Sequence, residues 1–328
     1  MDALSKILDD IHMRGAEYLY VSARNDWHFC LDTQGEFVFH IMLFGHAMLH
    51  IDAQASSTTP APQAIQGGDI VIIPSGKKHH LYGCSPNALH VKPHDLYPEF
   101  NGHRNDPVLL GDAGQGQTLL LSIRCLLDVD MARPLLTALP MVMTIGNAMG
   151  TGAPPWLQIG LQFLALEAER SRPGRDTLLN RLVGMLLIEC VRDHIEQLPE
   201  GSENWLTALR DPQLAPVLSA IHAAPEKPWT VADLASLACM SRSAFAERFS
   251  TTMGDTPLAY LAAHRLRLAA WHLRESQMYN NQQSIARIAE KVGYASETSF
   301  SQAFKRFYGA SPSQYRKKTS DTPSPQIH

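Results

Sequence analysis

Histidines crowd the front of this chain: ten of its fifteen lie before residue 104, among them His40, His46, His50, His79, His80 and His90. Imidazoles carried on adjacent strands can hold a transition metal, and His40, His79 and His90 are the candidate ligands. No His-x-His pair occurs among them, and no glutamate lies between Glu36 and Glu99. The competing reading is an interior whose histidines are satisfied by hydrogen bonds around a small organic effector, with Phe39, His40, His79 and Tyr82 lining the pocket. On that reading no cofactor is expected; a bound metal stays open as the alternative. Five cysteines (Cys30, Cys84, Cys125, Cys190 and Cys239) are odd in number and scattered without CxxC spacing, which argues against structural disulfides and a zinc finger.

A different chemistry is written at the other end. Leu234-Ala235, Met240-Ser241, Phe245, Phe249, Gly254, Pro257 and Tyr260 recur as Ile288-Ala289, Tyr294-Ala295, Phe300, Phe304, Gly309, Pro312 and Tyr315, at offsets of 54 and then 55 residues. A repeat this long is an architecture, not a coincidence. Thr230, with Asp233 three residues on, and then Ser241 cap two short helices. Leu234, Ala235 and Leu237 form a buried stripe on the first, and Ala235, like Ala289 after it, is small enough for a close helix crossing. With Phe245 and Phe249 turned inward, Arg242, Ser243, Ala246 and Glu247 face out. In the second copy a helix from about Ser296 buries Phe300, Phe304 and Phe307 and turns out Glu297, Thr298, Ser301 and Gln302. Glutamine can read adenine with two hydrogen bonds, and Ser or Thr can meet base edges or phosphates. Arg242, Lys305, Arg306 and Arg316 suit phosphate, which fixes position without choosing sequence.

Charge divides the same way. Up to residue 211 the chain has 15 basic against 24 acidic side chains; from 212 to 318 it has 13 against 7. The repeated part is the basic part, as a polyanion partner requires. Between the copies, residues 257–276 have Pro at a helix start and no glycine, so a helix of about 30 Å is expected. That is close to the roughly 34 Å between successive major grooves on one face of DNA.

The elements that carry the histidines are of another kind. Residues 16–125 read as short strands (EFVFHIMLF, AMLHI, DIVIIP, ALHVK, TLLLSI) broken by Gly, Pro, Asn and Asp, hence an all-β sandwich or barrel. Helical periodicity begins at Pro134. In the helix expected from Asp176 to Gln197, Leu179, Leu182, Val183, Leu186, Leu187 and Cys190 share a face that either covers the barrel or joins two copies. Residues 199–212 form the link, and residues 319–328 a disordered tail. No run of eighteen apolar residues exists, so no membrane span and a cytoplasmic protein are expected.

LASLACMSRSAFAERF and IARIAEKVGYASETSFSQAFKRFYGASPSQYR resemble the DNA-binding domain of AraC/XylS-type transcriptional regulators over residues 213–318. GDIVIIPSGKKHH (Gly68, Pro74, Gly76, His79) fits the second cupin motif, and residues 1–205 resemble the cupin-like domain of one branch of that family. The fold expected is therefore an α+β multidomain chain: an N-terminal cupin-like β-barrel with helices, then an all-α domain of two helix-turn-helix motifs joined by a linker helix. The resemblance implies base-facing positions at Ser243, Ala246 and Glu247 in the first motif and Glu297, Thr298 and Gln302 in the second. Many relatives carry Arg where this chain has Glu247 and Gln302. It further implies an activator, not an enzyme, that senses a small-molecule or chemical signal and dimerises through residues 1–205, with promoter DNA and RNA polymerase as partners. Two alternatives stand beside it: a metal-dependent cupin enzyme fused to a DNA-binding domain, and a thiol-based redox sensor using Cys30 or Cys84. No Lys, Arg or helix start adjoins Cys30 to lower its pKa.

Overall fold

The computed structural model describes residues 2–33, 35–52, 61–100, 106–112, 117–148, 155–168, 173–199, 202, 204–278 and 283–320. The chain forms two compact units, one of residues 1–12, 130–134 and 192–328, the other of residues 13–129 and 135–191. Its first element, α1 (Ala3–Asp10), is capped by Asp2, whose side chain accepts from the Ser5 N–H, and it counts with the C-terminal unit.

The β-rich unit is built from β1 (Gly15–Arg24), β2 (His28–Leu31), β3 (Phe37–Phe44), β4 (His46–Ile51), β5 (Gln63–Gln66), β6 (Ile70–Ile73), β7 (His79–Tyr82), β8 (His94–Asp95), β9 (Val108–Leu110), β10 (Gln117–Leu126) and β11 (Met143–Ile145). They form a six-stranded sheet, β11-β6-β3-β10-β1-β9, and a five-stranded sheet, β5-β4-β7-β2-β8. Pairing is antiparallel except for β1 with β9 and β2 with β8. Among the described residues no strand belongs to both sheets, so the expected barrel is a pair of sheets and not a closed ring. Side chains from both sheets fill one core: Leu19, Val38, Met42 and Leu120 from the first, Phe29, Leu49 and Leu81 from the second.

Because successive side chains on a strand alternate, β3 serves two faces. Val38, His40 and Met42 point between the sheets, while Phe37, Phe39 and Ile41 are buried on the outer side of the six-stranded sheet. The turn that delivers β7 depends on Gly76, whose φ is +55° and whose Cβ, if it had one, would lie 2.0 Å from Thr33 Oγ1 and 2.4 Å from the Glu36 carbonyl. Three helices follow: α2 (Val129–Ala138), α3 (Pro155–Ala168) and α4 (Arg175–Gln197). On α4, Leu179, Val183, Leu186, Leu187 and Cys190 are buried, and Asn180 Oδ1 accepts from the Ala16 N–H of β1 at 2.8 Å. The apolar stripe of α4 is thus largely buried within the chain, and Asn180 ties the helix to β1.

The C-terminal unit is helical: α5 (Leu214–Ala223), α6 (Val231–Leu237), α7 (Arg242–Met253), α8 (Pro257–Met278), α9 (Ile285–Lys291), α10 (Glu297–Tyr308) and α11 (Pro312–Ser320). It has two cores. Helical spacing on α5 places Val217, Leu218 and Ile221 with Leu234, Phe245, Phe249 and Leu261 in one; Ala3 of α1 joins it. Leu266, Ala269, Ala270 and Leu273 gather Ile288, Phe300 and Phe304 into the other. One continuous helix, α8, thus supplies both cores, and its 22 residues span about 33 Å. No described helix is long and apolar enough to cross a membrane. Of the tail expected at 319–328, Thr319 and Ser320 end α11, and residues 321–328 lie outside the described residues.

Candidate nucleic-acid interface

The two copies of the repeat fold alike down to individual hydrogen bonds. Thr230 and Asp233 form a reciprocal capping box at α6, and Ser284 caps α9. Each turn between the paired helices has a residue with positive φ, Cys239 at +54° and Gly293 at +84°. The next amide in each reaches back to the small residue at the crossing: Met240 N–H to the Ala235 carbonyl at 3.0 Å, and Tyr294 N–H to Ala289 at 2.9 Å. Phe245 and Phe249 sit 5.6 Å apart at 57°, Phe300 and Phe304 5.5 Å apart at 57°. Tyr260 then closes on Phe249 and Tyr315 on Phe304, both edge-on.

These inward anchors fix which residues the second helix of each pair turns outward. On α7, capped by Ser241, residues Arg242, Ser243 and Glu247 are exposed and Ala246 is half-buried. On α10, capped by Ser296, Glu297, Thr298, Gln302, Lys305 and Arg306 are exposed and Ser301 is half-buried. Each helix ends at a left-handed glycine, Gly254 or Gly309. Such a capped helix N-terminus with short polar side chains can enter a major groove.

In the β-rich unit the histidine pair closes on itself. His40 Nε2 and His79 Nε2 are 2.8 Å apart, joining the two sheets. His79 Nδ1 lies 2.7 Å from the Lys77 carbonyl and must donate to it, so His79 Nε2 is an acceptor and His40 Nε2–H the donor. His40 Nδ1 then accepts from the Ser122 hydroxyl at 2.8 Å. Every polar atom of this buried chain is used with both rings neutral. Burial drives both in that direction, holding His40 well below the usual imidazole range and His79 down to about 4.

Comparison with known proteins matches residues 2–196 to the Cupin family and residues 234–318 to the helix-turn-helix domain family. The HTH-type transcriptional regulator AlkR of Acinetobacter baylyi is 47% identical over 319 residues, covering 97% of this chain and 100% of its own. A putative AraC-like transcription regulator of Streptomyces antibioticus is 31% identical over 320 residues, 97% of this chain and 99% of that protein. This chain is an AraC/XylS-family transcriptional regulator. A solved structure of ToxT from Vibrio cholerae O395 aligns over 94% of this chain and 100% of its own, at 12% identity and a TM-score of 0.34.

In this AraC-type regulator several residues lie elsewhere than the sequence led us to expect. Leu237 and Phe307 are not core: they are 40% and 45% exposed, and the Arg267 guanidinium lies 5.8 Å from the Phe307 ring. Arg316 is half-buried and its Nη2 donates to the Gln283 carbonyl at 2.8 Å, so part of its guanidinium ties α11 to the start of α9. Arg248, which sequence reasoning passed over, braces α7 by bonding Asp211 at 2.5 Å and Gln213.

The four residues expected to line an effector pocket do not share one. His40 and His79 meet between the sheets, Phe39 is on the far side of β3, and Tyr82 is beside His28 on the outer face of the five-stranded sheet. His90 is exposed on a short 3-10 turn and does not join the other two proposed ligands. A metal at His40 and His79 would require the His40 proton to move to Nδ1 and the Ser122 hydroxyl to turn from donor to acceptor, and among the described residues no third histidine, cysteine or carboxylate converges on the pair. Ser122, the third member of that chain, was missed because nothing in sequence pairs residues 82 positions apart. Burial raises the thiol pKa of Cys30, Cys84 and Cys125, the reverse of what an oxidant-sensing thiolate needs.

Proposed function

We propose that this AraC-type regulator reads promoter DNA sequence-specifically, with α7 and α10 entering successive major grooves on one face of the duplex. The observation that carries this is α8: one continuous helix of 22 residues contributes to the cores of both motifs, so a single rigid element holds them, and its length of about 33 Å is of the order of the roughly 34 Å groove repeat. Ser243, Ala246 and Glu247 face bases in the first groove. Glu297, Thr298, Ser301 and Gln302 face them in the second. Arg242, Lys305 and Arg306 grip phosphates. With small residues and Glu247 on α7 against Gln302 and a basic end on α10, the second motif holds a substantial share of the specificity.

The N-terminal Cupin region senses a small-molecule or chemical signal, and the protein acts in the cytoplasm as a homodimeric activator that contacts RNA polymerase. For the dimer, the exposed apolar residues Ile159 and Phe163 of α3 and Leu178 and Met185 of α4 support a face distinct from the buried stripe of α4. The test of base reading is quantitative binding to a specific and a random duplex across salt concentrations. Gln302→Ala is expected to lose about 1–3 kcal/mol on the specific duplex only, and Lys305→Ala to weaken both alike while reducing the salt slope by about one. Equal losses on both duplexes for Gln302→Ala would defeat the assignment.

A further inference from the structure

Three residues far apart in sequence converge inside the C-terminal unit: Asp10 at the end of α1, His222 on α5 and His264 in the middle of α8. Their ligating atoms all lie within 4.8 Å of one another. His222 Nδ1 is 2.6 Å from Asp10 Oδ2, and His264 Nε2 is 3.5 Å from the same oxygen. His264 is 3% exposed, and its Nε2 is buried with no hydrogen-bond partner. An orphaned buried imidazole nitrogen aimed at a carboxylate is costly unless something fills the gap. On its other edge His222 Nε2 meets the Tyr260 hydroxyl at 2.9 Å, the outer partner that a metal-bound histidine ordinarily has.

We propose that Asp10, His222 and His264 bind a divalent zinc-class cation that staples the N-terminal helix to the helix carrying both DNA-reading motifs. Two imidazoles and one carboxylate form a borderline donor set with a fourth position left for water. Zinc bonds of about 2.0–2.1 Å in a tetrahedron put donors roughly 3.4 Å apart. The Asp10–His264 separation already matches, and the Asp10–His222 pair has to open by less than about 1 Å. When zinc takes the His222 Nδ1 lone pair, the ring proton moves to Nε2 and donates to Tyr260 Oη, whose hydroxyl turns from donor to acceptor. Tyr260 also packs on Phe249 of α7 at 5.8 Å, so the staple ends one ring away from a base-reading helix.

The test is titration of the chelator-treated full-length protein with zinc chloride, in competition with a chromogenic chelator, together with trypsin cleavage after Lys6 in α1. One equivalent of zinc is expected to bind and to slow cleavage at Lys6. His264→Gln and Asp10→Asn should each lower zinc affinity at least about tenfold and abolish that protection, while keeping zinc-free DNA binding; Tyr260→Phe should lower affinity about tenfold. His80→Gln, on the outer sheet face, should change nothing. The proposal is overturned if no saturable equivalent binds, if His264→Gln binds as tightly as the parent, or if only His80→Gln loses zinc.

Discussion

Acidification should unlock the two sheets at the His40–His79 bridge, and its size follows from the bridge itself. His79 is held down to about 4, against about 6.5 for an exposed imidazole, because charging it would require burying a cation among Val38, Met42 and Leu81. The unfolded chain therefore takes up the proton first. Stability is full above pH 6.5 and is lost as pH falls from there towards 4. Linkage for His79 alone gives a loss of about 2 kcal/mol between pH 7 and pH 5, and His40 acts in the same direction. Hydrogen exchange of peptides covering β3 and β7 reads this locally, without the second unit's unfolding mixed in. After correction for intrinsic exchange, protection should fall roughly thirtyfold, the equivalent of about 2 kcal/mol. His79→Leu alone should cost about 1–3 kcal/mol at pH 7, since it leaves the buried His40 Nε2–H without an acceptor. His40→Leu/His79→Leu removes donor and acceptor together and should cost less than the sum of its parts. The double variant should retain only the smaller pH response of His28 and His80, whose pKa values burial also lowers. A pH 5 loss of the same size in parent and double variant would refute the reasoning.

Two further outcomes are expected. Gly293→Ala should destabilise by about 2 kcal/mol or more, because φ is +84° and the new Cβ would lie 2.6 Å from the Glu226 carbonyl; Cys239→Gly, at the matching position, trades left-handed strain against chain entropy and should move stability by less than about 1 kcal/mol. Thermal unfolding of both variants checks it, and equal effects at the two turns would contradict the structural equivalence. Met185→Lys should turn a sedimenting dimer into a monomer with its unfolding temperature nearly unchanged, since Met185 is 56% exposed in the chain; a dimer that persists would move the interface elsewhere.

The repeat was legible because its physics is local. Caps, the paired phenylalanines and the terminal glycines each act within one or two turns of helix, and a sequence states such spacings directly. Phe307 shows where that stops. Helical period alone aligns it with Phe300 and Phe304, but its ring is exposed beside the Arg267 guanidinium, and the next residue, Tyr308, packs on that core. Arg316 has a structural partner that sequence could not show: its Nη2 donates to the Gln283 carbonyl, 33 positions away.

The histidine-rich region was legible in its strands and misleading in its chemistry. Phe39 and His40 are neighbours in sequence, and strand alternation alone separates them onto opposite faces. What sequence could not supply was the partner of each inward polar atom. Between the sheets His40 found His79 and Ser122, which makes a closed hydrogen-bond chain out of residues that resemble ligands. In the helical unit the opposite happened: Asp10, His222 and His264 carry no motif, lie on three helices, and leave one nitrogen unanswered. A histidine count locates imidazoles, but only the accounting of each buried lone pair separates a structural bolt from a site with room for an ion. By that accounting, and by the convergence of three donors, the junction of α1, α5 and α8 is where this regulator offers a cation a place.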